Sequence, residues 1–304
     1  MNFNLHTHTK FSDGSDEPLK NVEEAIRQGF STLGFSDHSP VPFENSFAIH
    51  EDELPNYVDT ILRLRKQFSS SANQNPASRI PHPGSQIPDP AYRIEILLGL
   101  EIDFIPGITR SFDEFRRSLV LDYIIGSVHL VRNSDPSQLW FIDGPDISVY
   151  DHGLAEVFHG DIRKAVTAYY RQVQEMVATH NPDIIGHLDK VKMYNRNRYF
   201  SEEDPWYGKL VEETLDLIEQ TSCVVEVNTR GVYKKRSDSL FPGPALLKKI
   251  HQRNIPVTLS SDAHKPYELS LFFPQALTLL HNIGFREIMN RNISGWITQS
   301  IKIN

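Results

Sequence analysis

The sequence contains a single cysteine, fewer basic than acidic side chains and no long apolar run. Cys223 has no second cysteine with which to form an internal disulfide, and its apolar neighbours favour a buried strand residue over a nucleophile. No apolar segment approaches the roughly 20 residues of a transmembrane helix, so we expect no membrane partner. The first residues lack the charged start and apolar core of a signal peptide, which predicts a cytoplasmic location.

Positive charge is scarce relative to negative charge. The 31 Lys and Arg residues against 39 Asp and Glu residues give a formal net charge of −8. The average field of such a molecule opposes the phosphate backbone of a nucleic acid, so we expect no nucleic-acid partner. A local basic patch can still bind a small anion.

The length of 304 residues suits either one α/β barrel or two ordinary domains. We find no repeat and no linker that divides the chain, and we predict a single domain over residues 1–304. Residues 69–91 are rich in Ser, Pro, Asn and Gln, which predicts an exposed loop insertion. Residues 136–160 form a long aromatic and acidic segment that we interpret as a loop, either a lid over a site or a surface excursion.

Short apolar segments alternate with segments of helical periodicity along the chain. This alternation predicts a parallel sheet, and parallel β/α barrels carry their working residues at the carboxyl ends of the strands. Seven predicted strands indicate an α/β fold with a distorted seven-stranded (β/α)7 barrel, closed by helices at 269–280 and 286–291. The predicted strands cover residues 2–5, 32–35, 94–100, 123–128, 182–186, 224–227 and 256–259.

Histidine and carboxylate residues follow these strands repeatedly. His6 and His8 alternate along the first strand and therefore share a face, where they can bind one ion. Imidazole together with carboxylate suits Zn, Mn or Fe better than Mg, and nine such ligands suffice for two or three divalent ions. The nine candidate metal ligands are His6, His8, Asp13, His38, Glu101, His129, His187, Asp262 and His264.

These motifs resemble those of the PHP (polymerase and histidinol phosphatase) superfamily. The resemblance rests on His6-x-His8, Asp13-Gly14, Asp37-His38, Glu101, His129, Gly186-His187 and Asp262-x-His264. Within the superfamily, residues 226–231 and 260–266 resemble the stand-alone histidinol-phosphate phosphatases, although the 69–91 insertion is longer than expected. The resemblance implies a distorted seven-stranded barrel with three ions. It assigns His6, His8, Glu101 and Asp262 to one ion, Asp13, His38 and His187 to a second, and Glu101, His129 and His264 to a third, with Glu101 bridging.

The chemistry that such a centre supports is hydrolysis of a phosphate monoester by a metal-activated hydroxide. The resemblance implies a small-molecule substrate, L-histidinol phosphate, and the products L-histidinol and phosphate, as in histidine biosynthesis. Glu101 and Asp262 are the candidate catalytic residues, and the sequence leaves open whether Asp262 is a ligand or a general acid. Candidate phosphate-binding residues are Arg196, Arg198, Arg230 and Lys234, although a solvated basic stretch is an equal alternative for all of them except Arg230, which directly follows a strand end. Asp37, Asp103 and Asp189 are candidates to orient a liganding imidazole.

Two alternatives keep the metal ligands but change the function. A nucleotide or a nucleic-acid end is the substrate in other members of the superfamily. A metal-stabilised module without catalytic activity is the third hypothesis, although a structural site usually needs only one closed shell of four ligands. The sequence leaves the oligomeric state and the physiological metal open.

Overall fold

The computed structural model describes residues 3–69, 93–135 and 137–302. The described strands are β1 Phe3–Asn4, β2 Thr32–Phe35, β3 Glu95–Asp103, β4 Tyr123–Ser127, β5 Leu130–Arg132, β6 Leu139–Phe141, β7 Ile184–Ile185, β8 Val224–Asn228, β9 Val257–Ser260, β10 Glu287–Asn292 and β11 Gly295–Ser300. The described helices are α1 Pro18–Arg27, α2 Leu54–Ser69, α3 Phe112–Ser118, α4 Ile147–Phe158, α5 Ile162–His180, α6 Pro205–Ile218, α7 Arg230–Tyr233, α8 Pro244–Gln252 and α9 Phe273–Ile283.

Seven parallel strands form the central sheet in the order β1-β2-β3-β4-β7-β8-β9. The two end strands approach each other where Thr7 pairs with Ala263: the amide of His8 donates to the Ala263 carbonyl at 2.8 Å, and the Ala263 amide donates to the His6 carbonyl at 3.1 Å. The sheet is therefore a nearly closed barrel, which confirms the predicted fold class. Inside it, the Tyr123 hydroxyl donates to the Leu5 carbonyl at 2.6 Å.

The helices cover the sheet with apolar faces that the sequence pattern predicts. In α1, proline stands at the first turn, where its missing amide hydrogen costs nothing, and Val22, Ala25 and Ile26 are buried. Ser111 and Glu114 form a reciprocal capping box at the start of α3. No helix among residues 3–69, 93–135 and 137–302 is long and apolar enough to cross a membrane.

Three regions differ from the sequence-based expectations or lie beyond the description. The predicted helix at 286–291 is wrong, because residues 287–292 form β10, which pairs antiparallel with β11 through a tight turn at Ile293 and Ser294. Residues 137–160 of the predicted loop 136–160 do not form a long loop, since β6 pairs with β5 and α4 follows, with Trp140 and Tyr150 buried. Apart from Ser69, which ends α2, the predicted 69–91 insertion lies outside the described residues.

Candidate metal centre

The structure brings the nine candidate ligands together at the carboxyl ends of the barrel strands. Their nitrogen and oxygen atoms form overlapping groups that could each hold a metal ion. Seven of the nine residues are buried, and the two more accessible ones are His264 and Asp13, whose side chains are 12% and 31% exposed. The groups are His8-Asp13-His38-His264, His6-His8-Asp262, Glu101-His129-His187 and His38-Asp103-His129.

Glu101 occupies the centre of this arrangement. Its Oε2 lies 3.1 Å from His6 Nε2, 3.3 Å from His8 Nε2 and 3.4 Å from His38 Nδ1. Its Oε1 lies 3.0 Å from His187 Nε2 and accepts a hydrogen bond of 2.6 Å from the Ser127 hydroxyl. Each oxygen thus faces a different set of imidazoles, which is the geometry that a bridging carboxylate requires.

The loop between β1 and α1 places Asp13 against His264, which follows β9. His264 Nε2 lies 2.9 Å from Asp13 Oδ2, and His8 Nδ1 lies 3.4 Å from Asp13 Oδ1. Gly14 permits this packing, because a Cβ atom at residue 14 would lie 2.5 Å from the backbone of His8. The Asp13-Gly14 motif therefore combines a ligand candidate with the glycine that lets its loop approach the strand.

Two histidines lie in other groups than the resemblance implies. His187 was expected with Asp13 and His38, but its Nε2 lies 3.1 Å from His129 Nε2. His264 was expected with Glu101 and His129, but it contacts Asp13. The order of the strands explains the exchange, because β7 neighbours β4 in the sheet whereas β9 closes against the end of β1.

The donor set fits divalent metal ions. Among the described residues, several buried imidazole nitrogens have no hydrogen-bond partner, including Nε2 of His6, both ring nitrogens of His8 and Nδ1 of His38. Buried polar atoms are otherwise almost always paired, so several unpaired ring nitrogens that converge on carboxylates mark a place for cations. Imidazole and carboxylate are the ligands that zinc and related transition metals prefer.

Electrostatics in the metal-free fold support this interpretation. Burial by itself lowers the pKa of His6, but the carboxylates of Glu226, Glu101 and Asp262 outweigh burial and raise it well above its ordinary value. Burial also lowers the pKa of His38, but the carboxylates of Glu101, Asp103 and Asp13 outweigh burial and raise this pKa to about 10. Burial would raise the pKa of Asp262, yet His6 and Arg230 hold it well below the usual range. The carboxylates therefore stay ionised and attract cations.

Of the three aspartates predicted to orient an imidazole, Asp103 is placed to do so. Its Oδ1 lies 2.5 Å from His129 Nδ1, and this contact turns His129 Nε2 toward Glu101. Asp37 instead accepts from the Thr9 amide at 2.7 Å and from the Ser12 hydroxyl at 2.6 Å, which fixes the loop after β1. Asp189 pairs with Lys192 at 2.8 Å, so these two expectations are wrong.

Arg230 and Lys190 bring positive charge to the ligand cluster. Arg230 is mostly buried, and its Nη1 donates to the Asp262 carbonyl at 2.8 Å. Lys190 is buried and its Nζ lies 2.6 Å from Asp143 Oδ2. Burial lowers the pKa of Lys190, but Asp143, Asp262 and Glu101 together raise it, so Lys190 stays charged beside the ligands.

The other three predicted phosphate-binding residues pair with residues other than the nine ligand candidates. Arg198 forms a two-pronged pair with Asp151 at 2.7 and 2.8 Å. Arg196 is exposed and binds the Lys235 carbonyl at 2.9 Å, and Lys234 pairs with Glu268 at 2.6 Å. The structure therefore places Arg230 at the ligand cluster but not Arg196 or Arg198. Lys234 contacts Glu268, which in turn accepts a hydrogen bond from the His264 amide.

Sequence reasoning missed Lys190, Asp143 and Glu226. Lys190 follows His187 by three residues, a spacing that could have drawn attention to it. Glu226 is a charged residue among the valines of β8, and it contacts His6 Nδ1 at 2.5 Å. No local sequence pattern pointed to Asp143, because the pairing of β5 with β6 is what brings the residues after β6 to the ligand cluster.

Comparison with known protein families agrees with this geometry. The model of the PHP domain matches residues 4–230, which is well over half of the chain. The chain therefore belongs to the PHP domain family.

Relatives along the whole chain carry a more specific name. A Deinococcus radiodurans protein named "Probable histidinol-phosphatase" is 27% identical over 94% of this chain and 95% of its own length. The histidinol-phosphatase of Bacillus subtilis is 25% identical over 86% of this chain and 92% of its own length. The crystal structure of histidinol phosphate phosphatase from Lactococcus lactis, complexed with Zn, L-histidinol and phosphate, aligns with a TM-score of 0.66 at 22% identity, covering 97% of this chain and 98% of that chain.

Proposed function

We propose that this protein is a metal-dependent phosphatase that hydrolyses L-histidinol phosphate to L-histidinol and inorganic phosphate. The observation that carries the proposal is the convergence of all nine ligand candidates at one end of the barrel, beside Arg230 and Lys190. The substrate follows from the relatives named histidinol-phosphatase, which match the chain almost from end to end. The L-histidinol and phosphate in the related Lactococcus structure support the same substrate.

The nine residues would hold two or three divalent ions, zinc among them, with Glu101 as the bridging carboxylate. When bound, such ions supply Lewis-acid activation of water and neutralise charge on the phosphoryl group. The depressed pKa of Asp262 keeps its carboxylate ionised, which favours the role of a ligand over that of a proton donor.

Arg230 and Lys190 would bind the phosphate oxygens. Charged donors in a buried position form strong hydrogen bonds to phosphate, and both side chains are held in place before substrate arrives. Arg230 is fixed by the Asp262 carbonyl, and Lys190 is fixed by Asp143. Asp143 also keeps Lys190 charged, so a substrate phosphate would meet a cation that is already oriented.

Removal of the metal tests this proposal directly. Chelator-treated protein is expected to release no phosphate from L-histidinol phosphate, and addition of Zn²⁺ is expected to restore turnover. Undiminished turnover by protein shown to be metal-free would overturn the metal-dependent mechanism. The cytoplasmic location and the single-domain organisation over residues 1–304 stay predictions from the sequence.

A further inference from the structure

Strand β8 supplies none of the nine ligand candidates, although it lies between β7 and β9, which both do. Its residues Glu226 and Asn228 are two positions apart and share one face of the strand. Both are fully buried. We propose that Glu226 is a positioning residue. It fixes the ring tautomer of His6 and, at the same time, the backbone conformation of His187. This inference rests on the metal-centre part of the proposed function and not on the identity of the substrate.

Each of the two carboxylate oxygens of Glu226 accepts hydrogen bonds from two groups. Oε2 accepts from the amide of His187 at 2.8 Å and from Asn228 Nδ2 at 3.1 Å. Oε1 accepts from the Ser260 hydroxyl and lies 2.5 Å from His6 Nδ1. This position needs a side chain whose two terminal atoms both accept hydrogen bonds, and an ionised carboxylate is such a side chain. The pKa of Glu226 is accordingly lowered despite burial, chiefly by His6.

This arrangement fixes the tautomer of His6. With a carboxylate oxygen 2.5 Å away, His6 Nδ1 must carry a hydrogen, so in the neutral imidazole that binds a metal the lone pair is on Nε2. His6 Nε2 points to the ligand cluster, 3.1 Å from Glu101 Oε2 and 3.8 Å from Asp262 Oδ1. Glu226 therefore presents His6 in the form that binds a cation.

The same carboxylate supports His187 directly and Asp262 through Asn228, and both residues have unusual backbone conformations. His187 has a φ of +24°, a value that ordinary residues seldom adopt, and its amide is held by Glu226. Asn228 donates both to Glu226 and to Asp262 Oδ2, at 3.2 Å, and Asp262 has a φ of +53°. Strand β8 thus links ligand candidates from β1, β7 and β9 through one buried carboxylate and one amide.

Substitution of Glu226→Gln tests the inference. A glutamine keeps the size, but its NH₂ group must face either His6 Nδ1–H and Ser260 or the donors of His187 and Asn228, so one of the two sets loses its acceptor. We expect zinc affinity, measured by titration of the metal-free protein with Zn²⁺, to fall about 10- to 100-fold. We expect kcat to fall with it while KM changes little. Zinc affinity equal to that of the unaltered protein would overturn the inference.

Asp122→Asn is the matched control, because Asp122 is also a largely buried carboxylate that accepts from a backbone amide. It binds the Leu98 amide at 2.6 Å and pairs with Arg65 at the amino end of β4, opposite the ligands. We expect this variant to lose thermal stability but to keep its zinc affinity. An equal loss of zinc affinity in both variants would show that Glu226 acts only through general stability, which would contradict the proposal.

A measurement on the unaltered protein covers the case in which Glu226→Gln does not fold. Nitrogen-15 NMR of the zinc-loaded protein distinguishes protonated from metal-bound ring nitrogens. We expect His6 to show a protonated Nδ1 and a metal-bound Nε2. Zinc bound through His6 Nδ1, or a proton on His6 Nε2, would overturn the proposal, and neither result depends on which phosphate ester the protein hydrolyses.

Discussion

Glu101 presents one carboxylate oxygen to His187 and the other to His6, His8 and His38. If Glu101 bridges two ions, Glu101→Gln removes a ligand from both and leaves the imidazoles without their central negative charge. We expect zinc content and phosphatase activity to fall together, each by about 10- to 100-fold. Metal analysis and steady-state kinetics on the same preparation measure both quantities.

Glu95→Gln is a suitable control because Glu95 lies on the same strand at the opposite end. It accepts from the Ile293 amide at 2.7 Å and is remote from the ligands along β3. We expect it to retain metal and activity. A Glu101→Gln variant with full metal content and normal turnover would refute the bridging role.

Arg230 is the predicted phosphate-binding residue that the structure places at the ligand cluster. Removal of its guanidinium by Arg230→Ala should weaken productive binding of the phosphate, since a hydrogen bond to a charged group contributes about 1.5–3 kcal/mol. We expect kcat/KM to fall about 10- to 100-fold with the metal content unchanged. Arg198→Ala should leave kcat/KM unaltered, because Arg198 pairs with Asp151. Equal effects of the two substitutions would remove Arg230 from the site.

At the residue level, the sequence could supply the ligand candidates because each follows a recognisable strand. It could not supply the grouping of His187 and His264, because grouping depends on which strands become neighbours when the barrel closes. Asp143 could not be predicted for the same reason, since its ion pair with Lys190 joins segments 47 residues apart.

At the scale of structural elements, the loop from β1 to α1 is closely packed at Gly14. A Cβ atom at residue 14 would lie 2.5 Å from the His8 carbonyl and the Thr9 amide, which are backbone atoms with little freedom to move. We expect Gly14→Ala to displace the loop, to weaken zinc binding and to cost about 1–3 kcal/mol of stability. Thermal unfolding and zinc titration measure the two effects.

The matched substitution is Gly208→Ala in α6, where a Cβ atom meets nothing within 4 Å. Alanine favours a helix interior over glycine by roughly 0.5–1 kcal/mol, so this variant should be slightly more stable. If Gly14→Ala behaves like Gly208→Ala, the close packing of the loop on His8 is not required for the metal centre.

Element types were predictable where periodicity extended over several turns, as in α5, or where a strand was continuously apolar, as in β3. The short segment 286–291 was misread as a helix because its pattern is set by pairing with β11 and not by local preference. Burial alternates there, with Ile288 and Asn290 facing inward, and this alternation is the signature of a strand.

For the whole molecule, metal binding and proton binding compete at the same imidazoles. In the metal-free fold the pKa of His38 is raised to about 10, and the pKa values of His6 and His8 are also raised, because nearby carboxylates outweigh burial. This contribution to stability is fully present below the unfolded pKa of about 6.5 and is lost as the pH rises through the folded values. A bound metal must displace these protons, so its affinity rises with pH.

We therefore expect the increase in Tm caused by a fixed concentration of Zn²⁺ to be larger at about pH 8.5 than at about pH 6. Thermal unfolding with and without Zn²⁺ at the two pH values measures this difference. An increase in Tm that is the same at both pH values would contradict competition between protons and metal at His6, His8 and His38.

The most direct test of the whole account is the specificity constant of the metal-replete protein for L-histidinol phosphate, measured beside a mononucleotide and a simple aryl phosphate. We predict that kcat/KM for L-histidinol phosphate exceeds both others by at least about 100-fold. Turnover of the mononucleotide that is equal or better would keep the metal centre but contradict the proposed substrate. A metal-replete protein that hydrolyses none of the three would contradict the assignment as a phosphatase.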